Sequence, residues 1–191
     1  MIAHEHVRDI TRKDIVFVLA LALLASLFIY VGQKVLPLSL SFIFGVLVLS
    51  FMSVFVMHLV HKTGVFMLFY VFVALLTMDI DNVGVLGVKK VVCFAVAALL
   101  FELVYLVLKF RIHFLAFDLI VGSALSLAAI PFVSALLITM DFTLQAPLSI
   151  INWMLISFVF GVVGAILSCI VWHYMKDRVL FVELEMYLGM R

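Results

Sequence analysis

Charge is scarce in this chain. Of 191 residues only 12% are Asp, Glu, Lys or Arg, against 68% apolar residues and a mean hydropathy of +1.41. Soluble domains carry roughly a quarter charged residues, so a water-exposed globule of this composition is excluded and lipid is the solvent. Cysteine is also sparse. Cys93 and Cys169 each sit inside an apolar run, which reads as small packing residues and not as a disulfide or metal framework. The chain lacks a Gly-x-x-x-x-Gly-Lys-Ser/Thr loop, a His-Glu-x-x-His pair and a cysteine cluster, so it carries no signature for hydrolysing ATP or for a zinc hydrolase. The net charge of +1 by itself says nothing about nucleic acid, and where the charges lie matters more; no nucleic-acid partner is expected.

What is present is a succession of apolar runs long enough to cross a bilayer. The runs are Ile15–Val31, Leu36–Met57, a short or tilted one starting at Val65, Val91–Leu108, Phe114–Thr139 and Leu148–Trp172. Pro131 falls inside the fifth, where it removes a backbone hydrogen bond and predicts a kink. Thr11-Arg12-Lys13-Asp14 reads as a capping box ahead of the first run. A basic start before an apolar segment also fits a signal peptide, but the length of that run favours a first transmembrane helix. The expectation is an all-α integral membrane protein. It comprises an N-terminal segment 1–14, a bundle of six transmembrane helices over 15–172, and a helical tail 173–191 whose apolar residues surround its axis.

Lys and Arg set the orientation. With six spans, nine of them fall on the side of both termini and three (Lys34, Lys89 and Lys90) on the other, so both ends are expected in the cytoplasm. All six histidines share the cytoplasmic side; His58 and His61 are three apart on one helical face and His4-Glu5-His6 lies in the terminus, but a zinc site needs three or four convergent ligands and none is expected. The outer side collects Asp79, Asp81, Asn82, Asp141, Gln145, Asn152 and Trp153. Carboxylates, amides and an indole suit a pocket for a small polar, cationic or heteroaromatic solute, and also suit solvated loop ends with an interfacial tryptophan. Gly84 and Gly87 leave the loop after Asn82 free to fold over such a site.

Two acids lie nearer the cytoplasmic side. Glu102 and Asp118 stand nine and seven residues from Arg111, which places them at similar depth and predicts contact if their helices are neighbours. Their reading is a structural polar lock or a coupling element. Small residues at helical spacing, as in Ala22, Ala25 and Ser26 or Ser157, Gly161, Gly164 and Ser168, mark helix contacts within the bundle or with a partner.

Three short elements then resemble a known family. Asp14-Ile15-Val16, His61-Lys62-Thr63-Gly64 and Phe101-Glu102-Leu103-Val104-Tyr105 are similar to motifs of the substrate-binding S component of energy-coupling-factor (ECF) vitamin transporters, with Thr63 where members carry Pro. The resemblance implies a non-enzymatic binding subunit in a prokaryotic plasma membrane. It would bind no cofactor, capture a vitamin or precursor on the outer side, and work with a coupling membrane subunit and two ATPase subunits that hydrolyse ATP. It also implies a structural or coupling role for Glu102 and, by the Ala22-x-x-x-Ser26 spacing, contact of the first helix with the coupling subunit. A stand-alone small-solute carrier and a membrane assembly protein are the alternatives.

Overall fold

The computed structural model describes residues 10–108, 111–112, 115–138, 146–176 and 178. Six helices make up almost all of it: α1 (Arg12–Val35), α2 (Leu38–Val60), α3 (Val65–Leu76), α4 (Val88–Val107), α5 (Phe117–Ile138) and α6 (Ala146–Met175). Between α4 and α5 lies a two-residue β ladder, β1 (Arg111–Ile112) against β2 (Leu115–Ala116), which hydropathy does not signal. Five of the helices are long and apolar enough to cross a membrane, consistent with a multi-pass membrane protein. The exception is α3, whose 12 residues rise about 18 Å where a hydrocarbon core is about 30 Å thick.

Local chemistry sets the helix boundaries. The capping box forms: Thr11 N donates to Asp14 Oδ2 at 2.7 Å, and Asp14 N donates back to Thr11 Oγ1 at 3.4 Å. Helix α1 therefore opens at Arg12, one turn before its apolar run. It ends at Val35 because Leu36, preceding Pro37, is extended, and Pro37 then caps the start of α2. His61 closes α2 in the left-handed region (φ 48°), and Gly64 (φ 85°) opens α3 from the same region. These two residues turn the chain through a four-residue connection.

The helices close into a ring in the order α1, α2, α6, α5, α4, α3, with α2 also touching α5 and α3. Small residues allow the close approaches. A Cβ on Gly164 would stand 2.8 Å from the Leu47 carbonyl of α2, and one on Gly161 would stand 3.0 Å from Cα of Ala124 on α5. A seam of hydroxyls runs through the same region. Ser50 Oγ donates to the Gly161 carbonyl at 2.5 Å and lies 2.9 Å from Ser123 Oγ, while the Tyr70 hydroxyl lies 3.4 Å from Ser126 Oγ. Each hydroxyl satisfies a polar atom that lipid could not. Aromatic rings fill the space between α3 and α4, where Phe66 and Phe101 stack with centroids 3.5 Å apart.

Candidate functional site

Among the described residues the bundle buries Asp14 on α1, Lys62 on the α2–α3 connection, Lys90 on α4 and Asp118 on α5, and half-buries Glu102 on α4. Near the start of α4, Lys90 is 1% exposed. Its ammonium donates to the carbonyls of Thr77 (2.8 Å) and Ile80, which lie at the end of α3 and just beyond it. Twelve residues further along α4, about 18 Å by helical rise, Glu102 Oε1 accepts the backbone N–H of Gly64 at 2.8 Å, at the start of α3. The separation of the two side chains matches the length of α3. A cation therefore sits at its carbonyl end and an anion at its amide end, the signs a helix dipole favours. Lys90 was not among the residues singled out by sequence, because a lysine at a span boundary reads as a solvated interfacial charge.

Beside Glu102's contact lies a second buried element. Lys62 Nζ meets Asp14 Oδ2 at 2.5 Å, with side-chain exposures of 4% and 0%. Asp14 Oδ2 also accepts from the Thr11 backbone and hydroxyl, each at 2.7 Å. The four-residue connection is thus held from α1 through Lys62 and from α4 through Gly64. Glu102 and Asp118 are on neighbouring helices, the condition on which their contact was expected, but Glu102 turns toward α3. It is Phe101 and Val104 of α4 that meet Gly122 on α5, whereas Asp118 is buried with Oδ1 accepting the Leu119 N–H at 3.0 Å. Ala22, Ala25 and Ser26 lie on the inner face of α1, with exposures of 0%, 0% and 9%. In this conformation they touch the chain's own helices and offer a partner no surface. Their small size lets α1 settle against α2 and α3.

At the opposite end of α3, the loop to α4 folds into the bundle instead of standing in solvent. Ile80, Asn82 and Val83 are buried, and Val83 fills the space that a Cβ on Gly45 of α2 would need. Asn82 Nδ2 donates to Ser41 Oγ at 3.1 Å on α2 and to the Ile29 carbonyl at 3.5 Å on α1. Gln33 Nε2 donates to Asp81 Oδ1 at 2.8 Å, tying the loop to the last turns of α1.

This inserted loop forms one wall of a cavity of about 620 Å³. Asp81, Asn82 and Gly84 come from the loop, Leu38, Ser39 and Phe42 from the start of α2, Pro131, Ser134, Ala135 and Ile138 from α5, and Trp153 from α6. The helical assignment of α5 runs through Pro131, which stands on this wall. Phe42 and Trp153 meet edge to face with centroids 4.7 Å apart. The volume suits a small organic molecule. Of the outer residues singled out by sequence, Asp81, Asn82 and Trp153 come together here. Asp79 and Asn152 are exposed and do not line the cavity, and Asp141 and Gln145 lie outside the described residues.

The described histidines, His58, His61 and His173, occupy the other end. His58 stacks on Trp172 (centroids 5.6 Å apart, 5° between planes), and its Nε2 lies 3.5 Å from Cys169 Sγ. Among the described residues no three His, Cys, Asp or Glu side chains converge in a way that could hold a metal ion.

Together the fold and the cavity define a helical, multi-pass membrane protein with a pocket at one end of its bundle. Comparison with protein-family models, with characterised proteins and with solved structures gives no match.

Proposed function

We propose that the protein is the membrane-embedded, substrate-binding subunit of an ECF-type importer, capturing a small vitamin-like solute for uptake driven by partner ATPases. The observation that carries this reading is spatial. The three short elements that resemble S-component motifs are far apart in sequence yet meet in one cluster, where Asp14 pairs with Lys62 and Glu102 accepts from Gly64. Motif resemblance by chance gives no reason for such convergence. The second support is the cavity at the opposite end, on the side assigned to the exterior by the Lys and Arg distribution, where a scavenging subunit must meet its solute. All six helices cross the membrane in this reading. α3 crosses with the help of the inserted loop 77–87, whose buried residues extend the protein beyond the end of the helix.

In this assignment the chain itself performs no chemistry. The cavity holds the solute, and a coupling membrane subunit with two ATPases moves it. Because Ala22, Ala25 and Ser26 face inward, the coupling subunit meets the outer face of α1, which presents Leu23, Leu27 and Tyr30, among others. The test is affinity purification of the tagged chain in mild detergent from a host that expresses such subunits, with mass spectrometry of proteins and retained small molecules. Co-purifying ATPases and a coupling membrane protein are the expected result. A chain recovered without either overturns the importer assignment in favour of a stand-alone carrier or an assembly protein.

A further inference from the structure

The cavity's polar lining is biased toward hydrogen-bond acceptors. Asn82 is 4% exposed, and its Nδ2 is committed to Ser41 and Ile29, while its Oδ1 has no hydrogen-bond partner among the described residues. That oxygen turns no surface to the cavity, so the amide shapes the wall without itself meeting a solute. Asp81 supplies a carboxylate, to which Gln33 alone donates among the described residues. No lysine, arginine or histidine is among the described residues of the wall.

The three basic residues at this end of the bundle do not line the cavity, although the Lys90 charge interacts with Asp81 from behind the wall. The Lys34 ammonium lies over the Tyr30 ring at 5.7 Å, Lys89 donates to the Leu137 carbonyl at 3.1 Å, and Lys90 holds the carbonyls of Thr77 and Ile80. An anionic group in the cavity would therefore meet the Asp81 carboxylate with no cation among the described residues of the lining to offset it. The indole of Trp153, set edge to face with Phe42, offers a flat apolar surface beside this carboxylate.

We infer that the cavity selects a flat solute that presents N–H donors and carries no anionic group, so that phosphorylated or carboxylate forms of a molecule are refused. The inference rests on the cavity being the solute site, as the proposed function has it. Asp81 receives the N–H groups, and the ring lies against Trp153.

Three probes of one shape and different charge test this: benzamidinium, benzamide and benzoate, titrated against the full chain in detergent with ligand-observed NMR. The expected order is benzamidinium, then benzamide, with benzoate at least about tenfold weaker. Asp81→Asn, an exposed and isosteric change, should bring the cation and the anion to within about threefold of each other, and Trp153→Ala should weaken benzamidinium and benzamide together. Benzoate binding as tightly as benzamidinium, with both sensitive to Trp153→Ala, overturns the charge selection while leaving the cavity as a solute site. Binding of none of the probes, or binding indifferent to both substitutions, overturns the cavity assignment itself.

Discussion

Asp14 shows how one side chain can hold two roles in a membrane helix. Its carboxylate closes the capping box of α1 with Thr11, and the same oxygen takes the Lys62 ammonium from the α2–α3 connection. Both partners are buried, so removing either leaves an uncompensated charge where neither water nor lipid can stabilise it. Asp14→Ala and Lys62→Met should each lower the stability of the purified protein by about 3–5 kcal/mol, and the double variant should recover much of the loss. Denaturant unfolding in mild detergent reads this directly; single variants that unfold with the parent protein would remove the pair from the account. A smaller effect belongs to Gly64. Its φ of 85° places any side chain in the left-handed region, and an added Cβ would stand 3.3 Å from Ile10 Cδ1. Gly64→Ala should therefore cost about 1–2 kcal/mol in the same assay.

The short helix α3 is the element whose stability needs most explanation. With 12 residues it is too short to be stable by itself, and its packing face of Phe66, Phe69 and Tyr70 is matched by charge at both ends. Lys90→Met leaves the Thr77 and Ile80 carbonyls without their ammonium, and Glu102→Leu leaves the Gly64 N–H without its carboxylate; each should cost about 1–3 kcal/mol. Glu102→Gln keeps an acceptor for that N–H and should lose less than Glu102→Leu. Hydrogen exchange should then quicken in α3 more than in α6; equal acceleration in both would show that the clamp serves the whole bundle and not this helix. At the α2–α6 contact, Gly164→Ala drives a methyl into the Leu47 carbonyl and the Ser50 side chain at 2.8 Å. The helices must separate or shift, and the expected destabilisation is about 1–3 kcal/mol.

At the scale of the molecule, α3 and α4 connect the two ends of the bundle. The loop that lines the cavity is held by Lys90, and the connection that carries the Asp14–Lys62 pair is held by Glu102, both on α4. In the proposed importer the solute would meet the first end from outside, while the second would face the cytoplasm. The Lys and Arg asymmetry predicts both termini there, and a C-terminal reporter that functions only in the cytoplasm is expected to be active. Activity only from a reporter that works outside would invert the assignment and move the cavity to the inner face.

Composition alone determines the solvent of this protein, because so much apolar surface is tolerable only in lipid. The runs locate the six helices to within a few residues. Offsets appear where caps act, since Thr11 and Asp14 start α1 ahead of its apolar run, and Gly87 and Lys90 lie outside the fourth run yet border or belong to α4. The shortness of α3 is legible in the interval from Val65 to Asp79. Sequence depth suggested a relation between Glu102 and Asp118, but depth says nothing about which way a side chain turns around its helix, and Glu102 faces Gly64. Lys62 and Lys90 read as boundary charges because their partners are a carboxylate 48 residues away and two backbone carbonyls, neither of which a hydropathy pattern encodes. Asp81, Asn82 and Trp153 were legible as outer polar residues; only the insertion of the α3–α4 loop between helices distant in sequence decided that these three, and not Asp79 or Asn152, share a cavity.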